Sequence, residues 1–124
     1  MKRVLIIDDA STVRMYHGQL LEAAGFAVDQ AVNGIEALEK AIVRSYDLYV
    51  VDVNMPRMDG YTFLRELRSR SDAAQAPAVM VSTEGEVKDA LAAFAAGANF
   101  YVVKPAQPGE LALVARLMTG EVAE

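Results

Sequence analysis

Short, mainly apolar runs alternate with amphipathic segments five times along the 124 residues of this chain. Runs of four or five such residues are typical of strands covered on both faces, and the segments between them have the three-to-four residue spacing of helices. Strict alternation indicates an α/β fold: a five-stranded parallel sheet with helices on both faces and right-handed connections. The predicted strands are residues 4–7, 26–29, 48–51, 77–81 and 100–103.

The order of the strands does not follow from this alternation. The run at 26–29 is the weakest and is followed by polar residues, which predicts an edge strand. The runs at 4–7 and 48–51 are the most apolar, so we expect them to be neighbours at the centre of the sheet. The predicted helices cover residues 10–24, a segment starting at 33, residues 60–70, residues 86–96 and a segment starting at 108.

The helical spacing also predicts which residues share a face. Asn33 followed by Glu36 is typical of a capping box at the start of the second helix. The apolar residues that share one side are Val13, Tyr16, Leu20 and Ala24 in the first helix, and Val87, Leu91 and Phe94 in the fourth. We expect His17, on the first helix, to lie at the surface, and no residue at metal-ligand spacing supports a metal site there.

Charge and composition argue against several classes of function. The chain has no cysteine, so disulfides and thiolate metal sites are excluded, and we expect a reducing, cytoplasmic environment. The net charge of −5 and the lack of a basic recognition motif argue against direct binding of nucleic acid. The apolar run after Arg3 is only four residues long, so we expect neither a signal peptide nor a membrane partner.

Polar side chains with complementary chemistry follow four of the five predicted strands. They are Asp8 and Asp9 after the first strand, Asp52 after the third, Ser82 after the fourth and Lys104 after the fifth. The carboxyl ends of parallel strands lie along one edge of the sheet, where open α/β sheets bind their ligands. We therefore expect these side chains to converge at one rim.

The three carboxylates at this rim would repel one another unless a cation joined them. With oxygen ligands only, Mg²⁺ is the expected ion and Mn²⁺ the alternative. A Lys104 ammonium and a Ser82 hydroxyl beside a metal suit a phosphoryl group. The pattern predicts attack by a carboxylate on phosphorus, which gives an aspartyl-phosphate. Asp52, at the end of a central strand, is the preferred nucleophile, and Asp8 and Asp9 would hold the metal.

Four motifs, in this order and at this spacing, make the chain resemble the receiver domain of two-component response regulators. They are Asp8-Asp9-Ala10-Ser11-Thr12, Asp52-Val53-Asn54-Met55-Pro56 with Asp59-Gly60, Val81-Ser82-Thr83-Glu84, and Tyr101-Val102-Val103-Lys104-Pro105. The single-domain chemotaxis (CheY-like) type is the most similar, and the resemblance covers essentially the whole chain. It implies the strand order 2-1-3-4-5, a receiver domain over residues 1–120 and a tail over residues 121–124.

The resemblance implies that Asp52 accepts a phosphoryl group from a phosphohistidine of a sensor histidine kinase. Mg²⁺ would be bound directly by Asp9, Asp52 and the backbone carbonyl of Asn54, with Asp8 acting mainly through water. The chain would catalyse only its own phosphorylation and dephosphorylation, so it would not be an enzyme acting on other molecules.

The resemblance also implies how phosphorylation is communicated. Ser82 would hydrogen-bond the attached phosphoryl group, and Lys104 would pair with it. A cis Lys104–Pro105 peptide would also match the family. Tyr101 would switch from an outward to an inward rotamer as Ser82 moves. The surface made by the fourth helix, fifth strand and fifth helix would then change its affinity for a downstream protein. Asn54 and Glu84 would tune the lifetime of the acyl phosphate, and the family allows a phosphatase as a further partner.

Two residues depart from the family pattern. Thr83 is larger than the small residue often found there, which would narrow access of the phosphoryl group. Ala106 replaces an aromatic residue that frequently follows the Lys-Pro pair, which would alter the partner-facing surface near the fifth helix.

Other interpretations stay open on the sequence alone. Asp8 and Asp9 would also suit the first turn of a helix, and Tyr101 would also suit simple packing. Phosphohydrolases of the haloacid dehalogenase type form an aspartyl-phosphate too, but generally need a second acid where this chain has Asn54. A constitutive binding module, a phosphate sink without an output partner and a receiver fragment of a larger regulator are further alternatives.

Overall fold

The computed structural model describes residues 1–121. Five strands and five helices alternate as predicted, with bounds within two residues of those expected. The strands are β1 (Arg3–Ile7), β2 (Ala27–Ala31), β3 (Leu48–Asp52), β4 (Ala78–Ser82) and β5 (Phe100–Val103). The helices are α1 (Ser11–Ala23), α2 (Gly34–Val43), α3 (Gly60–Ser69), α4 (Val87–Ala96) and α5 (Pro108–Thr119). Of the expected tail over residues 121–124, residues 122–124 lie outside the described residues.

The strands form one parallel sheet in the order β2-β1-β3-β4-β5. This confirms the expected strand order, with β2 at an edge and β1 beside β3 at the centre. The register pairs Ile7 with Val51, and Ser82 with Val103. The carboxyl ends of β1, β3, β4 and β5 therefore lie side by side along one rim.

Both faces of the sheet are buried, and this explains the uninterrupted apolar runs. Alternate residues of β1 and β3 enter separate core layers: Leu5 and Tyr49 pack on one side, Ile6 and Val50 on the other. The first layer is covered by α2, α3 and α4, and the second by α1 and α5. Among the described residues, no helix combines the length and apolar character needed to cross a bilayer.

The apolar face of α1 that the spacing predicts is only partly turned to the core: Leu20 and Ala24 pack against it, but the most buried side of the helix is rotated away from Tyr16. The structure buries His17, Gly18 and Leu21, whereas Tyr16 is exposed. At Gly18 a Cβ atom would already touch the side chains of Ile6 and Val28 at 3.9 Å. α1 therefore packs on the sheet with the side that carries Gly18, a rotation that apolar spacing alone did not reveal.

Helix α4 turns its large apolar side chains outward. Val87, Leu91 and Phe94 share one side, as predicted, but that side is the solvent face, with exposed fractions of 75%, 61% and 46%. The buried residues of α4 are Ala93 and Ala96. The helix therefore contributes little apolar area to the core and presents its own apolar stripe at the surface.

The C-terminal end of α4 is held by Arg68 of α3. The Arg68 guanidinium donates two hydrogen bonds to the carbonyl of Gly97, at 3.1 and 3.0 Å, and one to the carbonyl of Ala76 at 2.7 Å. It also donates to the side-chain oxygens of Gln75 and Asn99. One cation thus ties the loops before β4 and β5 to α3, at the end of the sheet opposite the aspartates.

We expect Arg68→Met to lower the free energy of unfolding by about 2–3 kcal/mol, because it leaves half-buried carbonyl groups without a donor. The measurement is urea denaturation. Arg65→Met is the matched control, since Arg65 is exposed on the same helix and, within residues 1–121, donates only to Thr62. Its change in the free energy of unfolding should stay below about 0.5 kcal/mol. Equal effects of the two substitutions would contradict this role.

Candidate functional site

Three aspartates meet where β1 and β3 end. Asp8 and Asp52 are buried and Asp9 is exposed. One carboxylate oxygen from each of the three lies within 4.8 Å of the others. The structure therefore brings together the acids that the sequence analysis placed at this rim, from positions more than forty residues apart.

Asp8 is oriented by the backbone of its own loop. The amide of Ala10 donates to Asp8 Oδ1 at 2.9 Å, and Arg14 donates to the Asp8 carbonyl at 2.7 Å. The amide of Asp8 donates to the carbonyl of Ala31 on β2 at 3.1 Å. These contacts leave Asp8 Oδ2 directed toward the centre of the rim.

Lys104 joins two of the three acids. Its ammonium donates to Asp8 Oδ2 and to Asp52 Oδ1, each at 2.8 Å. The Lys104 amide donates to the carbonyl of Ser82 at 2.7 Å, which fixes the end of β5 against the end of β4. The Lys104–Pro105 peptide is cis, as the resemblance implies.

The rim carries more negative than positive charge. Burial raises the pKa of Asp52, the hydrogen bond from Lys104 opposes that rise, and the charges of Asp8 and Asp9 add to it. Burial lowers the pKa of Lys104, but its bonds to Asp52 and Asp8 outweigh burial and leave that pKa raised. Lys104 therefore stays protonated and offsets only one of the three carboxylates.

The donor set at this rim fits Mg²⁺. Clustered carboxylate oxygens without histidine or cysteine match a hard cation that binds through one or two carboxylates, waters and a phosphate oxygen. The backbone directly before Asn54 is anchored. Val53 donates to the carbonyl of Val81 at 3.3 Å and accepts from the amide of Gly60 at 2.9 Å. Asn54, which is exposed, follows directly at the mouth of the site.

Ser82 and Tyr101 are linked through Glu84. Ser82 is buried at the end of β4, and its hydroxyl oxygen accepts from the Glu84 amide at 3.1 Å. The Tyr101 hydroxyl donates to the Glu84 carbonyl at 2.5 Å, and its half-buried ring packs on the core layer beneath α3 and α4. Within residues 1–121, the hydrogen bonds of the Ser82 side chain do not include one to the aspartate cluster.

The expectation that His17 lies at the surface is wrong. His17 is 2% exposed and lines a cavity of about 270 Å³ beside Lys104, together with Val13, Tyr16, Thr83 and Pro105. Burial lowers the pKa of His17, and the charge of Lys104 lowers it further against a smaller opposing effect of Asp8. The i, i+4 spacing of His17 with the buried Leu21 is the sequence signal that the expectation of a surface position missed.

The two departures from the family pattern lie around this cavity. Thr83 is exposed and lines it. Ala106 is buried, and the Tyr16 hydroxyl donates to its carbonyl at 3.0 Å. An aromatic side chain on α1 therefore reaches the segment in which Ala106 replaces the more usual aromatic residue.

Comparison with known proteins agrees with the motifs. The family model for the response regulator receiver domain matches residues 4–116. The chain is similar to the transcriptional regulatory protein ResD of Bacillus subtilis, with 34% identity over 90% of this chain and 45% of the relative. It is also similar to a gliding motility regulatory protein of Myxococcus xanthus, with 37% identity over 82% of this chain and 13% of the relative. The chain thus spans less than half the length of these curated relatives.

Solved structures show the same likeness. The chemotaxis protein CheY4 of Vibrio cholerae superposes with a TM-score of 0.88 and 34% identity, over 95% of this chain and 98% of that chain.

We expect His17 to make stability depend on pH in metal-free protein. Because folding lowers the pKa of His17, the unfolded state binds more protons as pH falls below the ordinary value of 6.5, and stability is lost there. His17→Leu removes this component. When the pH is lowered from about 7.5 to about 5.5, the midpoint of urea denaturation of His17→Leu should therefore fall less than that of the wild type. Parallel pH dependence of the two proteins would show that His17 does not contribute.

Proposed function

The chain belongs to the response regulator receiver domain family, and we propose that Asp52 is the side chain on which it accepts a phosphoryl group. Receiver domains of this family act in phosphorylation-based two-component signalling. The donor would be a phosphohistidine of a sensor histidine kinase. The observation that carries the assignment is the Lys104 ammonium, which lies 2.8 Å from both Asp52 and Asp8.

The reaction would use the side chains at this rim together with a bound divalent ion. A carboxylate oxygen of Asp52 attacks the phosphorus, the phosphorus–nitrogen bond of the phosphohistidine breaks, and the electron pair returns to the imidazole. Bound Mg²⁺, or Mn²⁺ in its place, supplies positive charge to offset the phosphoryl oxygens. Asp9, Asp52 and the Asn54 carbonyl would hold the ion directly, and Asp8 mainly through water. Lys104 orients Asp52 before the reaction and pairs with the phosphoryl group after it.

The chain would catalyse only its own phosphorylation and dephosphorylation. Loss of the phosphoryl group is attack by water on the same phosphorus, which restores the Asp52 carboxylate. Asn54 and Glu84 are exposed at the mouth of the site, where their side chains would control how water reaches the acyl phosphate. A phosphohydrolase of the haloacid dehalogenase type is a weaker candidate, because Asn54 has no carboxyl group to act as an acid.

The hydrogen-bond chain from Ser82 through Glu84 to Tyr101 would carry the signal away from Asp52. When the Ser82 hydroxyl turns to a new phosphoryl group, the Glu84 amide loses its acceptor and the loop before α4 must adjust. Tyr101 already binds the Glu84 carbonyl, so this loop and β5 would move together. The hydroxyl contact supports a switch role for Tyr101 over simple packing.

The output surface would be the one formed by α4, β5 and α5. Its exposed apolar residues are Val87, Leu91, Phe94, Phe100, Val103, Leu113 and Leu117. A patch of this composition suits an apolar face of a downstream protein. A phosphate sink would need no such patch. We therefore prefer a receiver that passes its signal to a downstream protein.

The receiver unit would comprise residues 1–120, since α5 ends at Thr119 and Gly120 has the left-handed φ of a helix terminus. Because the curated relatives are longer, a receiver within a larger regulator and a single-domain regulator both remain consistent with this function. A cytoplasmic location, a phosphatase as an additional partner and a chemotaxis-type pathway are parts of the same proposal.

Asp52→Asn should abolish Mg²⁺-dependent phosphorylation by acetyl phosphate or a purified sensor kinase, because the amide is a poor nucleophile at this position. Intact-protein mass spectrometry measures the modified fraction. Asp72→Asn is the control: Asp72 is exposed at the opposite end of the sheet, where it pairs with Arg70. Labelling that persists in Asp52→Asn would refute the assignment of the acceptor.

Ser82→Ala should uncouple the site from the output surface. With Mg²⁺ and the phosphoryl mimic beryllofluoride, we expect the NMR amide signals of Glu84, Tyr101 and α4 to shift in the wild type and to shift much less in Ser82→Ala. Ser69→Ala removes a hydroxyl whose hydrogen bond, in the described part of the chain, is to Glu66 of the same helix, and it should behave as the wild type. Full shifts in Ser82→Ala would exclude Ser82 as the coupling group.

A further inference from the structure

The loop from Val53 to Asp59 places Asn54 at the mouth of the site and closes on itself. Its ends are joined by the hydrogen bond from the Gly60 amide to the Val53 carbonyl at 2.9 Å. Gly60 also lies so close to β3 that a Cβ atom there would be 2.2 Å from the Asp52 carbonyl oxygen. A displacement anywhere along so short a closed loop is shared by its other residues.

The loop is also held by contacts with the start of α2. The amide of Gly34 donates to the carbonyl of Met58 at 3.3 Å. The Met58 side chain lies directly on Gly34: a Cβ atom there would meet Met58 Cγ at 2.7 Å and Met58 Cβ and Sδ at 2.9 Å. Arg57, just before Met58, has a left-handed φ of 71°, which limits how the backbone can rearrange.

The glycine at position 34 is required for space and not for backbone freedom. Its φ lies outside the left-handed region, and it is the first residue of a helix whose cap, Asn33, accepts from the Glu36 amide at 2.9 Å. Alanine would be at least as favourable in a free helix of this kind. The contact with Met58 is therefore what excludes a larger residue.

We propose that Gly34 and Met58 are positioning residues for the metal site, because their contact fixes how close to α2 the loop that carries the Asn54 carbonyl can lie. This inference rests on the proposed role of that carbonyl as a ligand of Mg²⁺. Mg²⁺ demands near-ideal octahedral geometry at short distances, so a loop displaced by a fraction of an ångström binds it less well. Outer groups that hold metal ligands in place affect affinity strongly.

The experiment is a titration of Mg²⁺ by calorimetry into the wild type, the variants named below and Asp52→Asn, with folding checked by urea denaturation. Gly34→Ala should raise the Kd about tenfold, the low end of the effect of outer positioning groups. Met58→Ala should weaken binding less, because it loosens the loop without displacing it. In the double variant Gly34→Ala/Met58→Ala the contacts with Met58 Cγ and Sδ are gone and only the Cβ contact at 2.9 Å remains, so most of the affinity lost in Gly34→Ala should return.

Gly97→Ala is the matched control. It also forces a Cβ atom into a neighbour, 2.7 Å from Arg68 Cγ, and it destabilises the fold at the far end of the sheet. It should leave the Kd for Mg²⁺ unchanged. A further readout uses metal-free protein: exchange of the Gly34 amide hydrogen should accelerate in Met58→Ala and stay slow in Gly97→Ala.

The outcomes distinguish failure of the proposed function from failure of the positioning role of Gly34 and Met58. If wild-type protein binds no Mg²⁺, or if Asp52→Asn binds it equally well, the proposed function fails. If wild-type binding needs Asp52 but folded Gly34→Ala binds Mg²⁺ with unchanged Kd, the positioning role is overturned. It is also overturned if Gly97→Ala weakens binding as much as Gly34→Ala, or if removal of Met58 fails to rescue Gly34→Ala.

Discussion

Repulsion among three carboxylates is the constraint around which this fold is arranged. Two charges about 5 Å apart interact by roughly 3 kcal/mol at an effective dielectric constant near 20, and Asp8, Asp9 and Asp52 lie within that range of one another. The parallel sheet tolerates this because Lys104 reaches back from β5 to bind two of them. The remaining negative charge suits a divalent ion, which would in turn allow an anionic phosphoryl group to approach.

The convergence at this rim was predictable from the sequence because it depends on topology and not on side-chain detail. Once alternating strands and helices predict a parallel sheet, every strand must end on the same edge, and Asp8, Asp52, Ser82 and Lys104 follow from where the apolar runs stop. The order of the strands needed the family resemblance. The register, which sets Ser82 beside Val103 and thereby aligns Lys104, could be known only from the structure.

The errors have a different physical origin. Helical periodicity shows which residues share a side, but not which side faces the sheet. α1 packs on the sheet with the side that carries His17, Gly18 and Leu21, and hydrophobic spacing gives no weight to a histidine or a glycine. On α4 the two alanines Ala93 and Ala96 face the core, so its more apolar side remains outside. The contact of Met58 with Gly34 could not be predicted, because no local sequence pattern shows that the loop after β3 lies against the start of α2.

The unequal anchoring of α4 determines how a change at Asp52 can reach the surface. Its C-terminal end is fixed by the hydrogen bonds from Arg68 to Gly97, whereas its N-terminal end follows the loop in which Glu84 bonds both Ser82 and Tyr101. Because only small alanines hold α4 against the core, little apolar burial opposes its displacement. A small movement of Ser82 would therefore pivot α4 about its Arg68 anchor and carry Val87, nearest the loop, farther than Phe94.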